Sequence, residues 1–269
     1  MNAYFMKGVK AMRTGYLDGE EQNVINAQRG YMVVKGNDII QKSRYALSAQ
    51  QQKILLSMIS KIKPEDEASQ TYTFEIKEFC QLCNIDWTSG RNYDAIKQAL
   101  YNIDKQVMWV KQPEKKRETR LRWLNELYIN EGSGEIVFSF HQDMFPYLLD
   151  LRDKYTQYSL INVLPMRSKY AIRLYELLKS YEGVWNIATI PVDTLKMRLD
   201  AQNYTKFKDF RVYALEKALE EINKYTDLEV SYEAKKINSR SYTHIVFQIR
   251  AAEGREKVAR DFETFKKLW

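Results

Sequence analysis

Hydrophobic positions along this chain alternate between two spacings, one helical and one extended, and the alternation occurs twice. Ile54, Leu55, Met58, Ile59 and Ile62 recur at helical spacing and predict a buried helix. Ser48 with Gln51 three residues on has the form of a capping box at its start, and Pro64 ends it. Tyr72, Phe74 and Ile76 alternate with polar residues and predict a short strand. A short amphipathic helix follows over 76–83, then a polar turn at Thr88-Ser89-Gly90. The next helix is longer and turns Tyr93, Ile96, Leu100, Ile103 and Val107 inward. Strand-like stretches then lie near 107–110 and 121–129, and at the alternating Ile136, Phe138 and Phe140 after Gly132-Ser133-Gly134. The charged segment 115–120 falls between the first two.

The second half repeats this order. Ser168 caps a helix whose inner face is Ala171, Leu174, Tyr175, Leu178 and Tyr181, and Gly183 stops it. A brief strand at 187–190 and a short helix at 192–199 follow. A long helix over 206–225 comes next, with Phe207, Phe210, Ala214, Ala218, Leu219 and Ile222 inward. Leu228, Val230 and Tyr232 form one strand of a hairpin, and Tyr242, Ile245, Phe247 and Ile249 form the other. Helix, short strand, helix, long helix, hairpin is the winged-helix arrangement. The expected fold is therefore α+β, with two tandem winged-helix (helix-turn-helix variant) domains at 33–150 and 151–252. A flexible N-terminal extension is expected over 1–32 and a helical tail over 253–269.

Charge gives this layout a direction. The chain carries a net +7, with 20 Lys and Arg against 19 Asp and Glu in residues 1–150 and 22 against 16 in residues 151–269. A winged helix offers its third helix to the major groove and its hairpin to flanking phosphates or the minor groove. In the second unit Lys206, Lys208 and Arg211 stand on the first two turns of that helix, and Lys235, Lys236 and Arg240 on the hairpin tip. The first unit has Arg91, Asn92, Lys97 and Gln98 at the equivalent helix start. Lys115, Lys116, Arg117 and Arg120 mark its candidate wing. Asp209, Glu216 and Glu220 confine the basic character of the long helix to its N-terminal part.

Other chemistries find little support. Cys80 and Cys83 are the only cysteines; a zinc site needs two further ligands, and the only histidines, His141 and His244, lie far away and apart. The cysteines are expected to pack in the core, with no metal and no cofactor bound. Nineteen tyrosines invite a nicking enzyme with a tyrosine nucleophile, but that chemistry needs a metal held by closely spaced histidines. No Gly-x-x-x-x-Gly-Lys-[Ser/Thr] loop is present for nucleotide phosphates. The expectation is that the chain is not an enzyme. No apolar run approaches the roughly 18 residues of a membrane span, and the start, with Lys7, Lys10 and Arg13, lacks the apolar core of a secretory signal. A cytoplasmic protein with no membrane partner is expected.

The stretch from Arg167 to Tyr181, Arg-Ser-Lys-Tyr-Ala-Ile-Arg-Leu-Tyr-Glu-Leu-Leu-Lys-Ser-Tyr, resembles a pattern of the iteron-binding plasmid replication initiators, proteins with two winged-helix domains. Phe207-Lys208-Asp209-Phe210, Glu221-Ile222-Asn223 and Thr226-Asp227-Leu228 match as well. So do Val34-Lys35-Gly36-Asn37-Asp38-Ile39-Ile40 and Phe145-Pro146-Tyr147-Leu148-Leu149, so the resemblance spans about residues 33–250. It implies recognition of direct repeats in double-stranded origin DNA, local melting of an A·T-rich region, and recruitment of host replication proteins such as an initiator and a helicase. It also implies a homodimer formed through the first domain that represses the protein's own gene. After Phe210 the family usually carries several successive basic residues, whereas here Arg211 is followed by Val212 and Tyr213. The resemblance therefore carries DNA contact over to Lys208 and Arg211. Val212 instead suits a thymine methyl, and Tyr213 a phosphate. A transcriptional regulator with paired winged helices and no initiator activity would need the same surface.

Overall fold

The structure, a computed structural model, describes residues 27–28, 30–149, 151, 154–238 and 240–252. The expected extension lies outside these residues except for its last few positions, and the expected helical tail lies wholly outside them.

The first unit runs β1 (Met32–Gly36), α1 (Asn37–Lys42), β2 (Ser43–Arg44), α2 (Ala49–Ile59), β3 (Thr71–Glu75), α3 (Ile76–Leu82) and α4 (Gly90–Lys105). It continues through β4 (Val107–Gln112), β5 (Arg117–Arg122), β6 (Leu124–Ile129), β7 (Glu135–Phe140), α5 (Phe145–Leu148) and β8 (Tyr155–Ser159). The capping box forms as read. The Ser48 hydroxyl accepts from the Gln51 amide at 3.2 Å, and the Gln51 side chain accepts from the Ser48 amide at 2.8 Å. These bonds satisfy two of the amide donors that a helix start otherwise leaves open. Strand β8 pairs antiparallel with β1, Met32 opposite Ser159. Residues 155–159 thus join the first unit's framework, beyond the division expected at residue 150.

The second unit consists of α6 (Lys169–Lys179), β9 (Ile187–Pro191) and α7 (Val192–Arg198), followed by a helix in three pieces and a hairpin. The helix begins as α8 (Phe207–Phe210), passes through a π-helical segment (Arg211–Glu216) and ends as α9 (Lys217–Tyr225). The hairpin is β10 (Leu228–Lys235) and β11 (His244–Ala251). Ser168 caps α6, its hydroxyl accepting from the amides of Tyr170 and Ala171.

Sheet order supports the duplication independently of helix count. In the second unit β11 lies between β10 and β9, and in the first β7 lies between β6 and β3. In both, the strand after the serine-capped helix, β3 after α2 and β9 after α6, pairs with the second strand of the hairpin. This identity of order corrects the assignment of the first wing. Lys115, Lys116, Arg117 and Arg120 belong to the β4–β5 hairpin, which pairs with β2 in a separate sheet. The wing is β6–β7, turned by residues 130–134. Gly132 and Gly134 supply positive φ angles of 92° and 73° there, and a Cβ on Gly134 would stand 3.2 Å from the Tyr93 ring of α4. Glycine at 134 is what lets the base of this hairpin approach the Tyr93 ring of α4.

Helix α6 is the seam between the units. Its Glu176 is 1% exposed, and its carboxylate accepts from Lys35 of β1 at 2.7 Å, Tyr158 of β8 at 2.6 Å and Arg173 of its own helix at 3.3 Å. Arg173 also reaches the Ser43 hydroxyl of β2 at 3.3 Å and the Arg198 carbonyl at the end of α7, and lies 4.2 Å from the Tyr45 ring centroid. Burial pushes the Glu176 carboxyl up, but Lys35 and Arg173 outweigh it and hold the group below the ordinary carboxylate range. Beside this cluster on α6, the Tyr175 hydroxyl and the Lys179 ammonium contact Asp227 at 2.8 and 2.7 Å, tying down the end of α9.

Removing one partner of a buried ion cluster leaves the others charged and desolvated. Glu176→Gln is therefore expected to destabilise the fold by about 3 kcal/mol or more, measured as a lower urea midpoint. A loss below about 1 kcal/mol would mean that the cluster behaves like a solvated surface pair.

Candidate nucleic-acid interface

The end of α7 sets where the long helix starts. Asp200 adopts a positive φ of 54°, the Ala201 amide returns to the Lys196 carbonyl, and the Lys196 ammonium donates to the Tyr204 carbonyl at 2.8 Å. Chain direction thus reverses within a few residues and delivers Lys206 as the N-cap of α8, with an extended backbone and no side-chain cap. A helix start of this kind presents amide donors and a positive dipole end.

Around that start the structure gathers the predicted cations. Lys206 and Lys208 are exposed, and Tyr213 is 54% exposed. The Phe207 ring sits 4.8 Å from that of Tyr242, next to β11, and the Lys236 ammonium lies 5.1 Å over the same Tyr242 ring. Helix start and wing tip are therefore in direct contact. Lys235, Lys236 and Arg240 are all exposed at that tip, with Lys235 also 3.3 Å from Glu233. Arg211 is half-buried: its Nε is 3.4 Å from Glu216 Oε1, which accepts the Tyr232 hydroxyl of β10 at 2.9 Å. Burial and the bond to Glu216 push the Tyr232 phenol up to about 12, so it stays a donor near neutral pH. Arg211 is thereby held between the long helix and the wing strand.

Periodicity predicts an unbroken α-helix here, and the π-helical segment departs from that. Its wider turn rotates everything beyond Arg211 relative to Lys208. A sequence signal exists in Phe210, Ala214, Ala218 and Ile222, spaced by four throughout, where an α-helical face alternates three and four. Tyr213, within the segment, stacks on Tyr204 of the preceding turn at 6.4 Å, and Lys217 lies 5.6 Å over Tyr213.

The first unit presents a less basic surface. On α4, Arg91 and Gln98 are exposed, Asn92 donates to the Asp86 carbonyl at 2.8 Å, and Lys97 is paired with Glu131 of the wing turn at 3.0 Å. Asp94 and Asp104 are exposed on the same helix. Arg117 donates to Gln112 at 2.8 Å across the β4–β5 hairpin, and Arg120 is exposed on β5. Neither arginine stands on the wing of α4, because their strands belong to the other sheet.

Cys80 and Cys83 are buried, and burial pushes the Cys80 thiol up to about 11, away from the thiolate that redox or metal chemistry uses. Among the described residues, no three His, Cys, Asp or Glu side chains are grouped to hold a metal ion, and no helix is long and apolar enough to cross a membrane.

Two models of one family match the chain. The one described as Initiator Replication protein, WH1 covers residues 32–179, and the one described as Initiator Rep protein, WH2 covers residues 191–249. The chain belongs to the replication initiator family. Among solved structures, the initiator is similar to the Pi initiator protein in complex with iteron DNA, with a TM-score of 0.70 and 18% identity over 84% of this chain and 99% of that one. At that identity the likeness is one of fold. Domains 2 and 3 of RctB, as selenomethionine derivatives, give a TM-score of 0.49 and 13% identity over 78% of this chain and 85% of that one.

Many family-like residues of this initiator prove to be scaffold. Arg173, Tyr175, Glu176 and Lys179 build the seam, and Asp227 anchors to it. Glu221 accepts the amides of Arg167 and Ser168 at 3.0 and 3.1 Å, and Asn223 bonds both backbone groups of Val230. These contacts fix the long helix against α6 and against the first strand of the wing.

Arg211→Ala is expected to weaken duplex binding by about 1–3 kcal/mol, and Lys208→Ala should also weaken it. Lys115→Ala, on the β4–β5 hairpin, should leave binding nearly unchanged in a gel-shift titration. Equal losses for all three would place the contact surface elsewhere.

Proposed function

We propose that this initiator starts plasmid replication by binding direct repeats in duplex origin DNA with both winged helices. The observation that carries the reading is the contact between Phe207 and Tyr242, which joins the start of the long helix to the wing so that their cations form one surface. In this reading Lys206, Lys208 and Arg211 enter the major groove at the N-terminal end of the helix, where base edges are distinguishable. Lys235, Lys236 and Arg240 hold the adjoining phosphates and set register without reading sequence. Val212 is available to a thymine methyl and Tyr213 to a phosphate. Arg91, Asn92, Lys97 and Gln98 make the corresponding, weaker contacts of the first unit.

The similar Pi initiator is in complex with iteron DNA, which supports iterons as the repeats meant here. The seam around Glu176 makes the two contacts rigidly bivalent, so each repeat should extend over roughly two helical turns to seat both units. The proposed activity is binding followed by local opening of the duplex, with no bond made or broken by the protein. Host replication proteins are the further partners proposed, a homodimer through the first unit is the proposed repressing state, and the cytoplasm is the proposed site of action.

Supplying this gene to a replicon that lacks its own initiator should maintain it in dividing cells, whereas loss of the replicon would reduce the role to regulation. In vitro, log affinity for the repeat should fall with log salt at about 0.9 per phosphate neutralised, and near-flat dependence would contradict the proposed surface. Supercoiled origin DNA incubated with the protein and a divalent metal should stay un-nicked.

A further inference from the structure

Between the start of α4 and the turn of its own wing lies an open cleft of about 510 Å³, lined in part by Lys77, Thr88, Tyr93, Lys97 and Glu131. It stands in the first unit where the Phe207–Tyr242 contact stands in the second, between the third helix and the hairpin. Two cations reach it. The Lys77 ammonium rests 5.1 Å over the Trp87 ring, and Lys97 donates to Glu131 Oε1 at 3.0 Å. The Lys97 side chain is 22% exposed and that of Glu131 is 86% exposed. The bond to Glu131 holds the Lys97 ammonium above its ordinary range.

We propose that Glu131 is a built-in competitor for DNA phosphate, occupying on Lys97 the position a phosphate oxygen takes when the first winged helix engages the duplex. A carboxylate oxygen and a phosphate oxygen accept from a lysine ammonium with the same geometry and distance. Placement favours this use. The wing turn over 130–134 carries no Lys or Arg, and its one charged side chain is an acid facing the helix that is to meet a polyanion. The corresponding tip of the second unit carries Lys235, Lys236 and Arg240. A pair this exposed is weak and salt-screened, so a phosphate can replace it without unfolding the turn. The second unit then contributes the larger share of the affinity, and the first unit's share is set by how readily Glu131 yields Lys97.

This inference rests on the duplex-binding reading above, and the test separates the two. The full chain is titrated with one origin repeat over a range of salt as wild type, Glu131→Gln, Lys97→Gln and the double variant, with Lys208→Ala as control. Glu131→Gln should tighten binding about two- to fivefold at low salt, and the gain should shrink as salt screens the competing pair. In the Lys97→Gln background that gain should vanish. A gain that persists without Lys97 would be a general charge effect and overturns the competitor, as does weaker binding by Glu131→Gln. Loss of binding in Lys208→Ala with no response to Glu131→Gln overturns the competitor alone. No response to either overturns the duplex reading as well.

Discussion

A single buried carboxylate governs how the two halves of this protein sit together. Glu176 accepts from Lys35, Tyr158 and Arg173, drawing β1, β8 and α6 to one point, while Arg173 extends the cluster to β2 and to the end of α7. Two fully desolvated cations and their shared anion tolerate little displacement, because any separation leaves a charge without compensation in a low-dielectric interior. The ionic seam helps to fix their angle and spacing, and with them the separation of α4 from the long helix of the second unit.

Within that frame the units differ in a way that follows from their wings. The second joins helix and hairpin through an aromatic contact, Phe207 on Tyr242, which leaves the surrounding lysines exposed. The first joins them through Gly134 beside Tyr93 and through the Lys97–Glu131 pair, which consumes a cation on the surface that faces outward. The second unit thus keeps Lys206, Lys208, Lys236 and Arg240 exposed, with Arg211 and Lys235 beside carboxylates of their own, whereas the first engages Lys97 at its wing turn. The π-helical segment adds a local feature, with the Arg211 guanidinium 3.4 Å from Glu216 and Glu216 accepting from Tyr232.

Much of this was legible in the sequence. The helix starts at Ser48 and Ser168, the alternating strands and the repeated order of elements are local features, and local features survive folding. Sequence alone points to the wrong first wing, because Lys115, Lys116, Arg117 and Arg120 look like a basic hairpin tip and pairing partners are non-local. Only the sheet order shows that β7, not β5, lies beside β3. The signal for the true wing is Gly132-Ser133-Gly134, in a turn without Lys or Arg to advertise it. The engagement of Lys97 was equally hidden, since Glu131 is 34 residues away along the chain. The Arg-Leu-Tyr-Glu pattern was recognisable as family, but its task, closing a seam rather than touching DNA, required seeing Lys35 arrive from the first strand.

The central claim is that the seam holds two duplex-reading units at one fixed spacing. Its most direct test is the affinity for a single origin repeat with half a helical turn, about five base pairs, inserted between the segments covered by the two units. A rigid seam predicts that binding falls to the level of one unit alone, because the insertion turns the second segment to the far side of the duplex. Undiminished affinity for the lengthened repeat would show that the units move independently and would contradict the account.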